Sequence, residues 1–373
     1  MFSRILKNVD WVLVGAMIPI LAAGLITMAS FSGDMAYASK QLIWIVVASL
    51  VFFTLSGLDA QVFKKTQTLV WLFAFGLGLL LIVFLVGHTA KGATSWLSFG
   101  GFSLQPADPM KLILILVLSK YLSRRHIEIA NLKHIFISGA YVLVPFMLVF
   151  LQPDLGSALI LGAIWLGLML VSGISKKHLG TLFAIALVIF GIAWAFVLKP
   201  YQKARIENFI NPMQDIRKTG YNVYQSVIAV GSGQVIGKGV GYGTQSRLNF
   251  LPEYKTDFIF AAFAEEWGLI GCLILLACFA IVIWRILNAG MFGSSNFEIL
   301  YSLGVAVFFM SHIIINVGMN IGIMPVTGIA LPFMSYGGSH LITEFACLGI
   351  LMSMRGYNRS IHRDDTKHEF LGL

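Results

Sequence analysis

Charge is scarce in this chain, and negative charge most of all. Only 12% of its 373 residues are Asp, Glu, Lys or Arg, and 17 are acidic. With 58% hydrophobic residues, that is too little polar surface to clothe a soluble domain of this length. Cysteine is scarcer still, with three, Cys272, Cys278 and Cys347. All three sit in apolar runs and read as small core residues, not as a disulfide framework or a zinc set. Two further absences narrow the chemistry. The glycine-rich stretch 231–243 fails the phosphate-loop pattern, because Ser232 stands where a Gly is required and Gly239 follows Lys238. It fails the dinucleotide fingerprint as well, at Ile236 and Tyr242. Ser335 and Ser339 lie in no nucleophile elbow.

What the chain has in quantity is long apolar runs, each able to cross a ~30 Å hydrocarbon layer as a helix. The expected fold is an all-α polytopic membrane protein, with residues 1–373 forming one integral membrane domain. A β-barrel would show weak ten-residue alternation instead. Ten spans are expected, at about 11–31, 41–58, 67–87, 109–123, 134–151, 156–173, 178–198, 257–284, 297–321 and 340–354. The first is too long for a signal-peptide core and reads as a retained span.

The net charge of +9 would suit nucleic acid if it were clustered, but the basic residues are dispersed between spans. Lys and Arg collect at Arg4 and Lys7, Lys64 and Lys65, Lys120 to Lys133, Lys176 and Lys177, Arg285, and Arg355 to Lys367. The alternate loops carry few. Both termini are therefore expected in the cytoplasm, with no nucleic-acid partner.

On that topology four unusual segments face outward: 88–108, 151–157, 199–256 and 322–340. The long loop 199–256 reads as partly helical in its first half and as a flexible, glycine-rich cover in its second. The segment GIMPVTGIALPFMSYGGSH carries Pro325, Pro332, Gly328, Gly337 and Gly338. It reads as a broken or re-entrant stretch beside a cavity, since irregular backbone at membrane depth must be buried in protein or lining water.

The acids single out 251–268, LPEYKTDFIFAAFAEEWG. Thr256 reads as a helix cap and Asp257 as a first-turn carboxylate at the membrane edge. Capping alone could account for Asp257. Glu265 and Glu266 lie deeper, where ionisable groups are costly, and read as structurally paired. His312, Asn316 and Asn320, spaced four apart, share one helix face and read as helix-packing groups. Glu344 lies one turn from His340, and Asp108 and Lys111 are three apart and able to pair. Outward acids and cations beside an apolar cavity suit a lipid-linked substrate with a charged pyrophosphate head. They also suit a proton-coupled transporter.

Four stretches together resemble the SEDS family (shape, elongation, division and sporulation). They are YGTQSRLNFLPEYKTDFIFAAFAEEWG at 242–268, LQPADPMKL at 104–112, LQPDLGS at 151–157 and PVTGIALPFMSYGGS at 325–339. PVTGI before LPFMSYGGS is closer to the rod-shape branch than to the division branch. The resemblance implies a peptidoglycan glycosyltransferase of the bacterial inner membrane that polymerises lipid II during elongation. Its implied partners are a class B penicillin-binding protein, the elongation machinery and membrane lipids. Asp257 matches the family's essential aspartate, whose proposed role is general base. Lys111 and Arg205 are candidates for the pyrophosphate, with Asp154, Glu253, Ser335 and Glu344 as further substrate contacts. A divalent cation, Mg or Mn, could share the charge. The chain departs from the family at Asp108 and Pro109, where a Glu and an apolar residue are usual, and at His340, where a second Ser is common. The alternative readings are a lipid II flippase and a non-catalytic scaffold for the transpeptidase.

Overall fold

A computed structural model describes residues 8–32, 36–90, 93–99, 102–124, 132–198, 200–210, 219–248, 250–251 and 253–371. The helices, in order, are α1 Trp11–Ser32, α2 Ala36–Gly57, α3 Ala60–Lys64, α4 Thr66–Val86, α5 Ala107–Ser123, α6 Leu132–Leu151 and α7 Leu155–Val171. They continue with α8 Lys176–Ile192, α9 Pro200–Ile210, α10 Thr219–Ser232, α11 Thr244–Arg247, α12 Ile259–Met291, α13 Asn296–Asn320 and α14 Gly338–Leu371. Each of the ten expected spans is helical. Among the described residues seven helices are long and apolar enough to cross a membrane. The other three are α5 and α7, with 17 residues each, or ~26 Å at 1.5 Å per residue, and α14, whose 34 residues run from an apolar first half into a charged second half.

Apolar lipid gives helices no hydrophobic reason to associate, so close packing and polar contacts must hold them. Here α5, α12, α13 and the first half of α14 form the interior, with Leu114, Ile259, Phe309 and Leu348 buried among them. α14 lies along α2 closely enough that a methyl group at Gly349 would come within 2.8 Å of the Phe52 carbonyl. α8 buries none of its hydrophobic window and is the bundle's most peripheral span.

The segment 88–108 is not a plain loop. It folds into an antiparallel sheet of β1 His88–Ala90, β2 Ala93–Phe99 and β3 Phe102–Leu104, with Trp96 opposite His88 and Leu97 opposite Leu104. Ser95 and Leu97 are buried in it.

The eighth expected span is not continuous. α12 breaks at Gly268, whose φ of 65° and ψ of −167° belong to no helix. A residue with a side chain would be strained there, and its Cβ would lie 2.3 Å from the Gly237 nitrogen. The break exposes helix-end groups that need partners. Segment 234–239 supplies them. Lys238 N and Gly239 N donate to the carbonyls of Glu265 and Glu266, each at 3.0 Å. Leu269 N and Ile270 N donate to the carbonyls of Gln234 and Val235, at 2.9 and 3.1 Å. The glycine-rich stretch expected to be a flexible cover is thus a fixed splice. Gly233 and Gly237 are where backbone packs on backbone: a Cβ there would lie 2.0 Å from the Ala264 carbonyl and 2.1 Å from the Glu266 carbonyl. Side chains reinforce it: Glu265 pairs with Lys238 at 2.7 Å and accepts from Gln245 N at 3.1 Å, while Glu266 accepts from Gly241 N.

At the opposite end of α12, Arg285 donates from Nε to Asp10 at 2.9 Å, and Arg355 of α14 joins the same carboxylate. Burial would raise the Asp10 pKa, but the two guanidinium groups outweigh it and hold the carboxyl below its ordinary value. Lys64 pairs with Glu298 at 2.6 Å on a neighbouring pair of elements.

Candidate active site

Asp257 lies in a turn, not in a helix. α12 begins at Ile259, its capping position is held by Phe258, and no side chain caps it locally. The expectation that Thr256 caps the helix is therefore corrected. Its hydroxyl donates to Glu253 Oε2 at 3.0 Å, and Thr256 N and Phe258 N both donate to the Glu253 carbonyl. Glu253, exposed and at φ 55°, closes this turn. The reason is spacing: the chain must leave the α11 region and enter α12 within a few residues, and a tight turn leaves Thr256 out of reach of the first helical N–H groups.

The missing cap comes from another helix. Asn320 of α13 accepts from Ala261 N at 3.0 Å and donates to the Asp257 carbonyl at 3.0 Å. Asn316 donates to the same carbonyl at 3.0 Å and to the Ile329 carbonyl at 2.7 Å. His312 bonds the Ala330 carbonyl at 3.1 Å. The stripe has the packing role expected of it, but its partner is main chain at Asp257 and Ala261 and along 329–330. The four-residue spacing was the visible signal for a shared face; nothing in it named the carbonyls.

Segment 321–337 is non-helical and its second half is buried, as expected of a re-entrant stretch. Ser335 is fully buried. Its hydroxyl donates to the Thr256 carbonyl at 2.7 Å and accepts from Leu331 N at 2.8 Å. Tyr336 N donates to the Lys255 carbonyl at 2.9 Å. Gln41 of α2 donates to the Ser335 carbonyl at 3.1 Å and accepts from Gly337 N at 3.2 Å, a contribution that sequence reasoning missed. Glu344, also fully buried, accepts from Phe333 N at 2.9 Å, where Phe333 takes a φ of 60°. Ser335 thus anchors the backbone that carries Asp257, and Glu344 anchors the re-entrant segment at Phe333.

Gly328, at φ 75°, brings the segment past the Asp257 side chain: a Cβ there would lie 3.6 Å from Asp257 Oδ2. On its other side the segment meets the 151–157 turn, where a Cβ on Gly156 would come within 2.8 Å of the Thr327 carbonyl. Asp154 caps α7 through Ser157 N at 3.0 Å and accepts from Gln105 Nε2 at 2.7 Å. Gln105 in turn exchanges main-chain bonds with Ser339 Oγ at 3.2 Å. The expected site segments, 104–112, 151–157, 253–258 and 325–339, therefore converge.

Lys111 and Asp108 are paired at 3.0 Å and both buried, so Pro109 does not prevent the pairing. Lys255 stands over the Tyr37 ring at 3.6 Å, and burial together with Tyr37 pushes the Tyr254 hydroxyl above its ordinary range. Arg205 lies on α9, but its side chain is outside the described residues. Among the described residues no cluster of three or more His, Cys, Asp and Glu could cage a metal. A magnesium ion held by one or two carboxylates and a substrate phosphate would need no such cluster.

The chain matches the family model described as "Cell cycle protein" (FtsW, RodA and SpoVE) over residues 5–360. It is 32% identical over 357 residues to the peptidoglycan glycosyltransferase MrdB of Escherichia coli K12, covering 95% of this chain and 96% of that one. Its fold is similar to a solved chain from work on the coordination of polymerization and crosslinking by a peptidoglycan synthase complex. That match has a TM-score of 0.81 at 29% identity, over 94% of this chain and 98% of the other. The rod shape determining protein RodA of Thermus thermophilus matches with a TM-score of 0.70 at 28% identity, over 93% and 96%. A polytopic helical chain whose four convergent segments carry the SEDS motifs, matched by that model over nearly its whole length, belongs to the FtsW, RodA and SpoVE family.

Proposed function

We propose that this membrane protein, a cell-wall glycosyltransferase, polymerises lipid II into glycan strands with Asp257 as the general base. The supporting observation is how firmly the Asp257 main chain is held: its carbonyl takes two amide donors from α13, and the preceding residue's carbonyl takes Ser335. General-base chemistry requires a carboxylate kept within hydrogen-bond reach of the hydroxyl it deprotonates. In the proposed step Asp257 takes the proton of the acceptor sugar hydroxyl while that oxygen bonds to the donor's anomeric carbon. The bond from that carbon to undecaprenyl pyrophosphate breaks, and the pyrophosphate leaves with the electron pair. Cations offset the charge that develops there; Lys111 and Arg205 are the proposed groups, with Asp154 and Glu253 toward the substrate. The Asp257 end of the bundle faces outward on this reading, with both termini in the cytoplasm. A class B penicillin-binding protein is the proposed partner, crosslinking the strands as they emerge.

The same observation disfavours a flippase. The polar stripe that could line a transport path is occupied with main-chain carbonyls. The deciding measurement gives labelled lipid II to the purified protein with its penicillin-binding partner and reads glycan length on a gel. Wild type should make polymer and Asp257→Ala should lose about 10²–10⁴-fold in rate. Equal polymerisation by both would end the base assignment; lipid crossing vesicles without polymer would favour the transporter.

A further inference from the structure

We infer that the groove between α4, α5 and α6 is a binding site for one anionic phospholipid, separate from the Asp257 site. The groove has a volume of about 400 Å³, within the range of small-molecule sites. Leu69, Val70, Phe73 and Leu77 of α4 form its apolar wall, and Lys120 and Arg124 close one end. α5 starts beside the site segments at Asp108 and carries Lys120 twelve residues on, ~18 Å along its axis. The cationic rim therefore lies at the far end of the bundle from Asp257.

The dimensions fit one leaflet. Thr66 lies at the rim and Leu77 at the inner end, eleven residues apart on α4, so the wall is ~16 Å long. That is about half of a ~30 Å hydrocarbon layer, the reach of an acyl chain from one interface. Charge selects the headgroup. Among the described residues neither Lys120 nor Arg124 has a carboxylate partner, whereas the nearby Lys64 is occupied by Glu298. Lys65 adds another exposed cation directly before Thr66. Among the described residues no acidic side chain lines the groove. Basic pockets between spans at the cytoplasmic side recognise anionic headgroups, which is where the orientation proposed above puts this rim. A zwitterionic lipid would fit the apolar wall equally well but would gain less at the rim.

The test uses native mass spectrometry of the full chain, released from vesicles of equal phosphatidylglycerol and phosphatidylcholine. Wild type should retain one phosphatidylglycerol at least fivefold over phosphatidylcholine. Lys120→Gln with Arg124→Gln should abolish that preference while lipid is still retained. Ala74→Phe, which fills the groove without touching its charge, should reduce retention of both lipids. Equal retention of the two lipids by wild type would overturn the inference. So would an unchanged preference in the double variant, or undiminished phosphatidylglycerol retention in Ala74→Phe.

Discussion

Asn320 holds the Asp257 turn from another helix. One end of its amide accepts the Ala261 N–H that starts α12, and the other donates to the Asp257 carbonyl. The residue proposed as base is therefore positioned by a side chain 63 residues away in sequence that has no claim to touch substrate.

Asn320→Ala should orphan one buried N–H and weaken the hold on that carbonyl. Loss of a partner for a buried group costs about 1–3 kcal/mol. The expected result is a lower Tm together with a lower kcat for glycan polymerisation at nearly unchanged KM. A variant that lost stability but kept kcat would make Asn320 a purely structural anchor. Asn320→Asp, which retains the acceptor, should recover more stability than activity.

Gly328 sets the space beside the carboxylate. Gly328→Val combines a φ of 75° with a side chain pressed toward Asp257 Oδ2, and strain of this kind costs about 1–3 kcal/mol. Polymerisation should fall more than folding does, read as activity per folded molecule by size-exclusion chromatography.

The buried Lys111–Asp108 pair should tolerate Asp108→Glu, which keeps the charge, far better than Asp108→Asn. Breaking a buried pair leaves an uncompensated charge and costs about 3–5 kcal/mol. Thermal unfolding in detergent should separate the two variants clearly, with Asp108→Glu the closer to wild type.

Strong acid should also loosen the other end of the molecule, through Asp10. Asp10 has a folded-state pKa below its ordinary value of 3.8. Its contribution is therefore fully present above about pH 4 and is lost as pH falls through the lowered folded value. The Tm gap between wild type and Asp10→Asn should be constant from pH 7 to about 5 and shrink below pH 4. A gap that did not change down to pH 3 would mean the carboxylate is not the stabilising group.

Much of this was legible in the sequence, for definable reasons. An apolar run of about twenty residues has one way to satisfy its backbone in lipid, so α1, α2, α4 to α8 and α12 to α14 could be read directly. Asp257 stood out because acids are rare here, and its neighbours carried family motifs. Other features are long-range and leave no local mark. Gly268 reads as an ordinary glycine in a membrane helix, because its φ is imposed by 234–239 approaching from another part of the chain. Thr256 obeys the rule for a cap and is excluded by turn geometry. Strands of three residues, such as His88–Ala90, are too short to show alternation.

The splice at Gly268 also makes 234–239 a ruler. Four main-chain bonds tie residues 234, 235, 238 and 239 to residues 269, 270, 265 and 266 of α12, so its length is fixed to the residue. One inserted or deleted amino acid would move every later donor out of step with Glu265 and Glu266 and leave both cut ends of the helix bare. Within the family, changes in loop length should accumulate before 231 and avoid this stretch.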